Sequence, residues 1–241
     1  MPEQAVEASA HYQRERCNVH LPFLSFQLCS LETLSFVQLG AGYAASNAAD
    51  ATVASARKLA SALATPSPND GFVVLGGNTS TLCLMLSYAV ESGIEAGDVF
   101  ILASSGHEAN IGPWVRVAQR KCATVLWWHP SGAHGEDACP LEGLKERLVS
   151  ANGRAKLVAL AHVSNLLGGV ADVAAISKLA HESGAVVVCD SVAYAPHRAL
   201  DAPALGADFI VWSFYKARYV SNDAPFFSTL LLTCPFLHHI H

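Results

Sequence analysis

From residue 72 onward, short apolar runs alternate with longer stretches in which apolar residues recur every three to four positions. The short runs predict strands at Phe72–Leu75, Asp98–Ala103, Thr124–Trp128, Leu157–His162, Ala185–Cys189 and Phe209–Trp212. The longer stretches predict helices at Thr79–Ser92, Ile111–Lys121 (with Pro113 in its first turn), Leu141–Ser150 and Val173–Ser183, and a short helical turn at Ala202–Leu205. Apolar runs this short, separated by helices, are the pattern of βαβ units. They predict an α/β fold, a mostly parallel sheet buried on both faces and flanked by helices. Upstream, residues 38–46 (QLGAGYAAS) read as a Gly/Ala-rich loop. Asn47 or Asp50 is expected to cap a helix running to about Leu63. Residues 1–36 carry no clean period, and the apolar stretch Val19–Phe36 is left unplaced.

Composition narrows the function classes. With 51 % hydrophobic and 15 % charged residues the chain is too apolar for a disordered protein. Its formal net charge of −5 leaves no basic stripe for nucleic acid. The apolar stretch Phe226–Leu237 is interrupted by Ser228, Thr229, Thr233 and Pro235 and is too short to span a bilayer. Glu3 and Glu7 precede any apolar run, so no secretory signal is read and cytoplasm is the default location. The seven cysteines include no CxxC pair, which signals neither a zinc site nor a disulfide framework. Cys83 and Cys122 read as core thiols. His238, His239 and His241 cluster at the end, a pattern more often incidental than metal-binding, and no metal is expected.

In parallel sheets the ligand crevice lies beyond the carboxyl ends of the strands. The residues just after each apolar run therefore belong together. Among them are Asn78, Thr79, Ser80, His107, Asn165, Asp190, Ser213 and Lys216. Gly76-Gly77-Asn78-Thr79-Ser80, between a strand and a helix, offers free N–H groups and two hydroxyls as a phosphate cradle, or simply an N-cap. It is neither a Walker loop nor a GxGxxG turn, so a nucleotide-binding domain is poorly supported. Asp190 at the end of an apolar run should want a cationic partner, unless it is a turn or capping Asp. Lys216 behind aromatic residues could serve as an amine nucleophile, or reach solvent. His107 could act as a base or a stacking ring, or be a hydrogen-bonded loop histidine. A phosphate cradle, a buried acid, a flat ring and a strand-end lysine are together what pyridoxal phosphate requires.

At this point the sequence resembles the class V aminotransferases, and within them the cysteine desulfurase-like group. Four segments carry the likeness: Gly106–Trp114 (GHEANIGPW), Ala161–Gly168 (AHVSNLLG), Asp190–His197 (DSVAYAPH) and Leu205–Lys216 (LGADFIVWSFYK). The resemblance implies the pyridoxal-phosphate-dependent transferase fold, with an aspartate aminotransferase-like large domain over 37–216. It implies a transferase or lyase acting on an amino acid, and a homodimer in the full-length form. Lys216 resembles the Schiff-base lysine, Asp190 the acid paired with the pyridine nitrogen, and His107 the histidine stacked on the ring. Asn165 resembles the asparagine near the ring hydroxyl. Thr79 and Ser213 look like phosphate ligands, with Asn78 and Ser80 beside Thr79. Desulfurases usually carry Gln where this chain has Ala193 and His where it has Tyr215. That leaves the outcome open among sulfur removal, transamination and elimination.

The family pattern stops at about Arg218. Residues 217–241 are expected to be a divergent tail, with the small C-terminal domain missing and the chain truncated. The substrate-carboxylate arginine and the nucleophilic loop cysteine of desulfurases would lie in that domain. The rival expectation is therefore a catalytically inactive fragment that binds the cofactor weakly or not at all.

Overall fold

The computed structural model describes residues 39–64, 72–133, 135–213 and 216, together with the backbone of 228–232. The expectations for 1–36, for Cys17, Cys29 and Cys234, for Tyr215 and for the terminal histidines lie outside these residues. The chain divides into two compact units, residues 1–59 with 219–225 and residues 60–218 with 226–241.

In the first unit the described residues are a Gly-rich loop and the larger part of helix α1 (Ala44–Ala64). The expected cap is not formed by Asn47 or Asp50, because both lie inside the helix. The Asp50 carboxylate instead accepts the Gly40 amide at 3.0 and 3.2 Å, and Ser46 Oγ accepts the Ala41 amide at 2.9 Å. Side chains of the first turns thus tie down the loop that precedes them.

The second unit is a seven-stranded sheet. In chain order its strands are β1 (Phe72–Gly76), β2 (Val99–Ala103), β3 (Thr124–Trp128), β4 (Ala155–Ala161), β5 (Val186–Asp190), β6 (Phe209–Ser213) and β7 (Ser228–Leu232). The order across the sheet is β1-β7-β6-β5-β4-β2-β3. The run from β6 to β3 is parallel, and β7 is antiparallel to both β1 and β6. The helices are α2 (Thr79–Val90), α3 (Gly112–Lys121), α4 (Leu141–Ser150), α5 (Val173–Glu182) and α6 (Ala202–Leu205). The predicted α/β architecture is the one observed. β7 arises in a stretch for which the sequence suggested no element.

The apolar runs are continuous because both sheet faces are covered. In the central strands neighbouring residues alternate between two cores. Ile101, Val158, Leu160, Val187 and Ile210 join one core with Leu144 of α4 and Ile176 of α5. Phe100, Leu102, Leu157, Val188 and Val211 join the other with Leu82 of α2 and Trp114 of α3. Burying each such side chain stabilises the fold by about 1.5–3 kcal/mol before entropy is counted. Asp98, read as the first strand residue, stands outside β2. Its carboxylate accepts the Glu95 amide at 2.8 Å and closes the turn before the strand.

The thiols divide differently from the expectation. Cys83, Cys139 and Cys189 are buried, but Cys122 is exposed. It ends α3 in the left-handed region, φ 54° and ψ 34°, which turns its side chain out of the core.

Candidate active site

The carboxyl ends of the parallel strands converge on one cleft with a cavity of about 100 Å³. Seven of the eight predicted site residues line it: Asn78, Thr79, Ser80, His107, Asn165, Asp190 and Lys216. Ser213 does not. It is the buried last residue of β6, three positions before Lys216.

Each lining group is set by the element that carries it. Asn78 is the N-cap of α2, with extended backbone, and its Oδ1 accepts the Thr81 amide at 2.8 Å. The helix start is held close to β1, since a Cβ on Gly76 would stand 2.6 Å from Leu82 Cδ2. His107 caps the turn Glu108–Asn110, its Nδ1 accepting the Ala109 amide at 3.1 Å. With Nδ1 so used, a neutral His107 carries its proton on Nε2. The turn is fastened to the sheet by Asn110, which donates to the Leu160 carbonyl at 3.1 Å and accepts from Trp114 Nε1 at 3.2 Å.

Asn165 stands in a loop after β4 built around Ser164. The Ser164 hydroxyl donates to the Ser105 carbonyl at 3.1 Å and accepts the Leu167 amide at 3.2 Å. Its backbone pairs with Gly168 and Gly169. Asn165 thereby enters from a short closed loop.

Asp190 is the last residue of β5 and is buried. Burial raises its pKa above the ordinary carboxylate value. The Val192 amide, His107 and Lys216 pull the other way without overcoming it. The sequence anticipates a cationic partner for this carboxylate, and Lys216 in the same cleft is the amine that acts on it electrostatically.

Pyridoxal phosphate can be tested against these residues. Among the described residues the Asp190 carboxylate accepts one hydrogen bond, from the Val192 amide to Oδ1 at 2.9 Å. A buried carboxylate in the cleft wall with acceptor capacity left suits a protonated ring nitrogen. The Ser80 amide at the start of α2 has no partner among the described residues, and the end of a helix that carries it favours a phosphate. The donor set therefore fits the cofactor.

The sequence reading gave no role to several neighbours. Ala109, Ala161, Val163, Val192 and Ala193 also line the cleft. Behind Asp190, His162 and Ser191 form a buried pair, His162 Nδ1 to Ser191 Oγ at 3.1 Å. The Tyr194 ring lies on the His162 ring, centroids 3.6 Å apart and planes at 10°. The apolar pattern runs the predicted strand on through His162, whereas β4 ends at Ala161 and leaves His162 among the strand-end residues.

Comparison with known proteins gives concordant results. The aminotransferase class-V family model matches residues 36–219. The aminotransferase-like protein FGM3 of Gibberella zeae is 38 % identical over 181 residues, 75 % of this chain and 43 % of that protein. A probable cysteine desulfurase of Staphylococcus aureus is 37 % identical over 140 residues, 58 % of this chain and 32 % of its own length. The apo cysteine desulfurase of Thermococcus onnurineus has a similar fold, with a TM-score of 0.71 at 22 % identity over 98 % of this chain and 51 % of that one. An Escherichia coli cysteine desulfurase gives 0.68 at 26 % identity, over 96 % and 51 %. The chain spans half or less of the length of the curated relatives it matches.

Proposed function

Because the chain belongs to the aminotransferase class-V family, we propose that it holds pyridoxal phosphate in the strand-end cleft and acts through it on an amino acid. The observation that carries this reading is the meeting of Lys216, Asp190 and the Asn78–Ser80 helix start in one cleft. Bound there, the cofactor supplies an electron-withdrawing pyridine ring that stabilises negative charge on a substrate carbon.

The chain's own residues then have separable tasks. Asn78, Thr79 and Ser80 take the phosphate at the helix N-terminus. Asp190 holds the ring nitrogen in its protonated form. That nitrogen would add a positive charge beside a carboxylate whose pKa burial raises. His107, with Nδ1 committed to the Ala109 amide, presents a flat ring to the cofactor. Asn165, which lines the same cleft, would hydrogen-bond the ring hydroxyl. Lys216 would hold the cofactor covalently at its aldehyde carbon with loss of water, and its Nζ, when free, would carry a proton to and from the substrate α-carbon. Ser213 follows the family pattern as a phosphate ligand by position, three residues before Lys216. The cysteine desulfurases among the relatives favour sulfur-containing amino acids as the first substrates to try.

The test is spectroscopic. The protein is titrated with pyridoxal phosphate, the visible absorbance is followed, and borohydride reduction is followed by peptide mapping. The expected result is a visible band abolished by Lys216→Ala, with the reduced mass increment on Lys216. A folded protein with no band would overturn the reading and leave the rival one, a chain that lacks the activity.

A further inference from the structure

We propose that His162 is the positioning residue for Asp190, its imidazole bonded to Ser191 and stacked on Tyr194 so that it fixes the turn aiming the carboxylate into the cleft. The inference rests on the proposed use of Asp190 as the cofactor's acid.

The geometry brackets a single peptide. The His162 amide donates to the Asp190 carbonyl at 2.8 Å, continuing the β4–β5 ladder by one rung. The His162 ring reaches past it to Ser191 Oγ at 3.1 Å. One residue therefore grips the main chain of Asp190 and the side chain of its successor. On the other side the Ser191 amide donates to the Val211 carbonyl at 2.8 Å, which ties the same peptide to β6. The Ser191 carbonyl accepts the amides of Tyr194 and Ala195 and so starts the turn. Tyr194 then folds its ring flat onto His162. Val192, whose amide holds Asp190 Oδ1, sits inside this turn. Moving the turn moves both the carboxylate and the Val192 amide that donates to it.

A neutral imidazole suits this role. Burial, aided by the Arg198 charge, lowers the His162 pKa to about 4. The ring is therefore uncharged at neutral pH and adds no positive field to compete with a cofactor nitrogen for Asp190. The groups that do act electrostatically on Asp190 are His107 and Lys216, which also line the cleft. Cys83 of α2 faces the same carboxylate, and its own pKa is pushed up mainly by burial. Ser191 is wholly buried and His162 nearly so, which leaves the pair little room to relax if either partner is removed.

The full chain is compared with His162→Phe, His162→Asn and Ser191→Ala. Two quantities are read. The first is the titration of the Asp190 carboxyl without cofactor, by difference infrared spectroscopy against Asp190→Asn. The second is the dissociation constant for pyridoxal phosphate. His162→Phe and Ser191→Ala are expected to move the Asp190 midpoint by about half a pH unit or more, and to weaken cofactor binding about tenfold. His162→Asn, which keeps a polar group toward Ser191, is expected to return most of both. Loss of thermal stability with an unmoved Asp190 midpoint in both Ser191→Ala and His162→Phe would overturn the proposal. Should His162→Phe fail to fold, Ser191→Ala decides. If the wild-type protein binds no cofactor, the functional reading fails, while the Asp190 titration still decides whether His162 sets its carboxylate.

Discussion

The Val192 amide donates to Asp190 Oδ1 across 2.9 Å, so the cleft's buried acid is held by its own chain two residues on. That bond, His107 and Lys216 do not offset desolvation, and the Asp190 pKa is raised. A carboxyl whose folded pKa lies above its unfolded value binds its proton more tightly when folded. Its contribution to stability is complete below the ordinary carboxylate range and is lost as pH rises through the raised value. Asp190→Asn removes the ionisation. Without cofactor the variant should be more stable than wild type at pH 8, because it has no carboxylate to desolvate. The gap should close as pH is lowered toward the ordinary carboxylate range. Urea unfolding at several pH values measures it, and equal stabilities at pH 8 would contradict the desolvation argument. The same variant should lose cofactor binding, a trade of function for stability.

Asn110 ties the His107 turn to the sheet through two buried hydrogen bonds, to the Leu160 carbonyl and from Trp114 Nε1. Asn110→Ala strands a buried indole N–H. At about 1–3 kcal/mol per buried group left unsatisfied, the expected loss is about 2–4 kcal/mol. It should appear as a lower urea midpoint with an unchanged slope. Asn110→Asp keeps an acceptor for Trp114 but cannot donate to Leu160 when ionised. Its loss should therefore grow as pH rises.

Much of this was legible in the chain, for identifiable reasons. Thr124–Trp128, Leu141–Ser150 and Ala202–Leu205 fall on the bounds observed for β3, α4 and α6. β3 is a β-branched and aromatic run, and the two helices open behind Pro140 and Asp201. The cleft residues were legible because parallel strands end on one edge, which brings Asn78, His107, Asn165, Asp190 and Lys216 together whatever lies between them. Contacts set by turn geometry have no period to betray them. The His162–Tyr194 stack joins residues 32 apart in sequence through the shape of one turn. Asp50 and Asp98 looked like a cap and a strand residue, yet both carboxylates serve main-chain amides of a preceding loop. Local propensity ranks what a residue prefers, not which unpaired amide lies within its reach.

Gly169 tests the loop that presents Asn165. A Cβ built there would lie 2.6 Å from the Glu136 carbonyl oxygen, a backbone atom that cannot swing aside. The Gly169 carbonyl also accepts the Ser164 amide at 3.1 Å. Gly169→Ala should push the loop away from residue 136 and cost about 1–3 kcal/mol, the usual cost of overpacking. Cofactor affinity should fall with it, because Asn165 moves. Gly168→Ala, where a Cβ meets nothing within 4 Å but φ is +71°, separates backbone strain from collision. Its cost should be nearer 1 kcal/mol. Equal and small effects in the two variants would show that the contact with residue 136 is not tight.

Cys122 is the free thiol most open to reagents among the described residues, and its backbone strains to be there. It ends α3 with φ 54°, its amide pointing to the Ala118 and Gln119 carbonyls, while the Ala123 amide donates to Ala118 at 2.8 Å. That is the closing pattern in which glycine is favoured at the left-handed position. Cys122→Gly should therefore stabilise the protein by about 0.5–1 kcal/mol. The thiol itself should react with a maleimide in the native state. Cys139 and Cys189 should not, because burial pushes both up to about 12 and closes off access. Cys83, also buried and raised, belongs with them. Peptide mapping after a timed pulse distinguishes the four sites. Labelling of Cys83, Cys139 or Cys189 at the rate of Cys122 would mean that the two cores beneath the cleft open readily. The site would then lack the rigid floor that holding Asp190 requires.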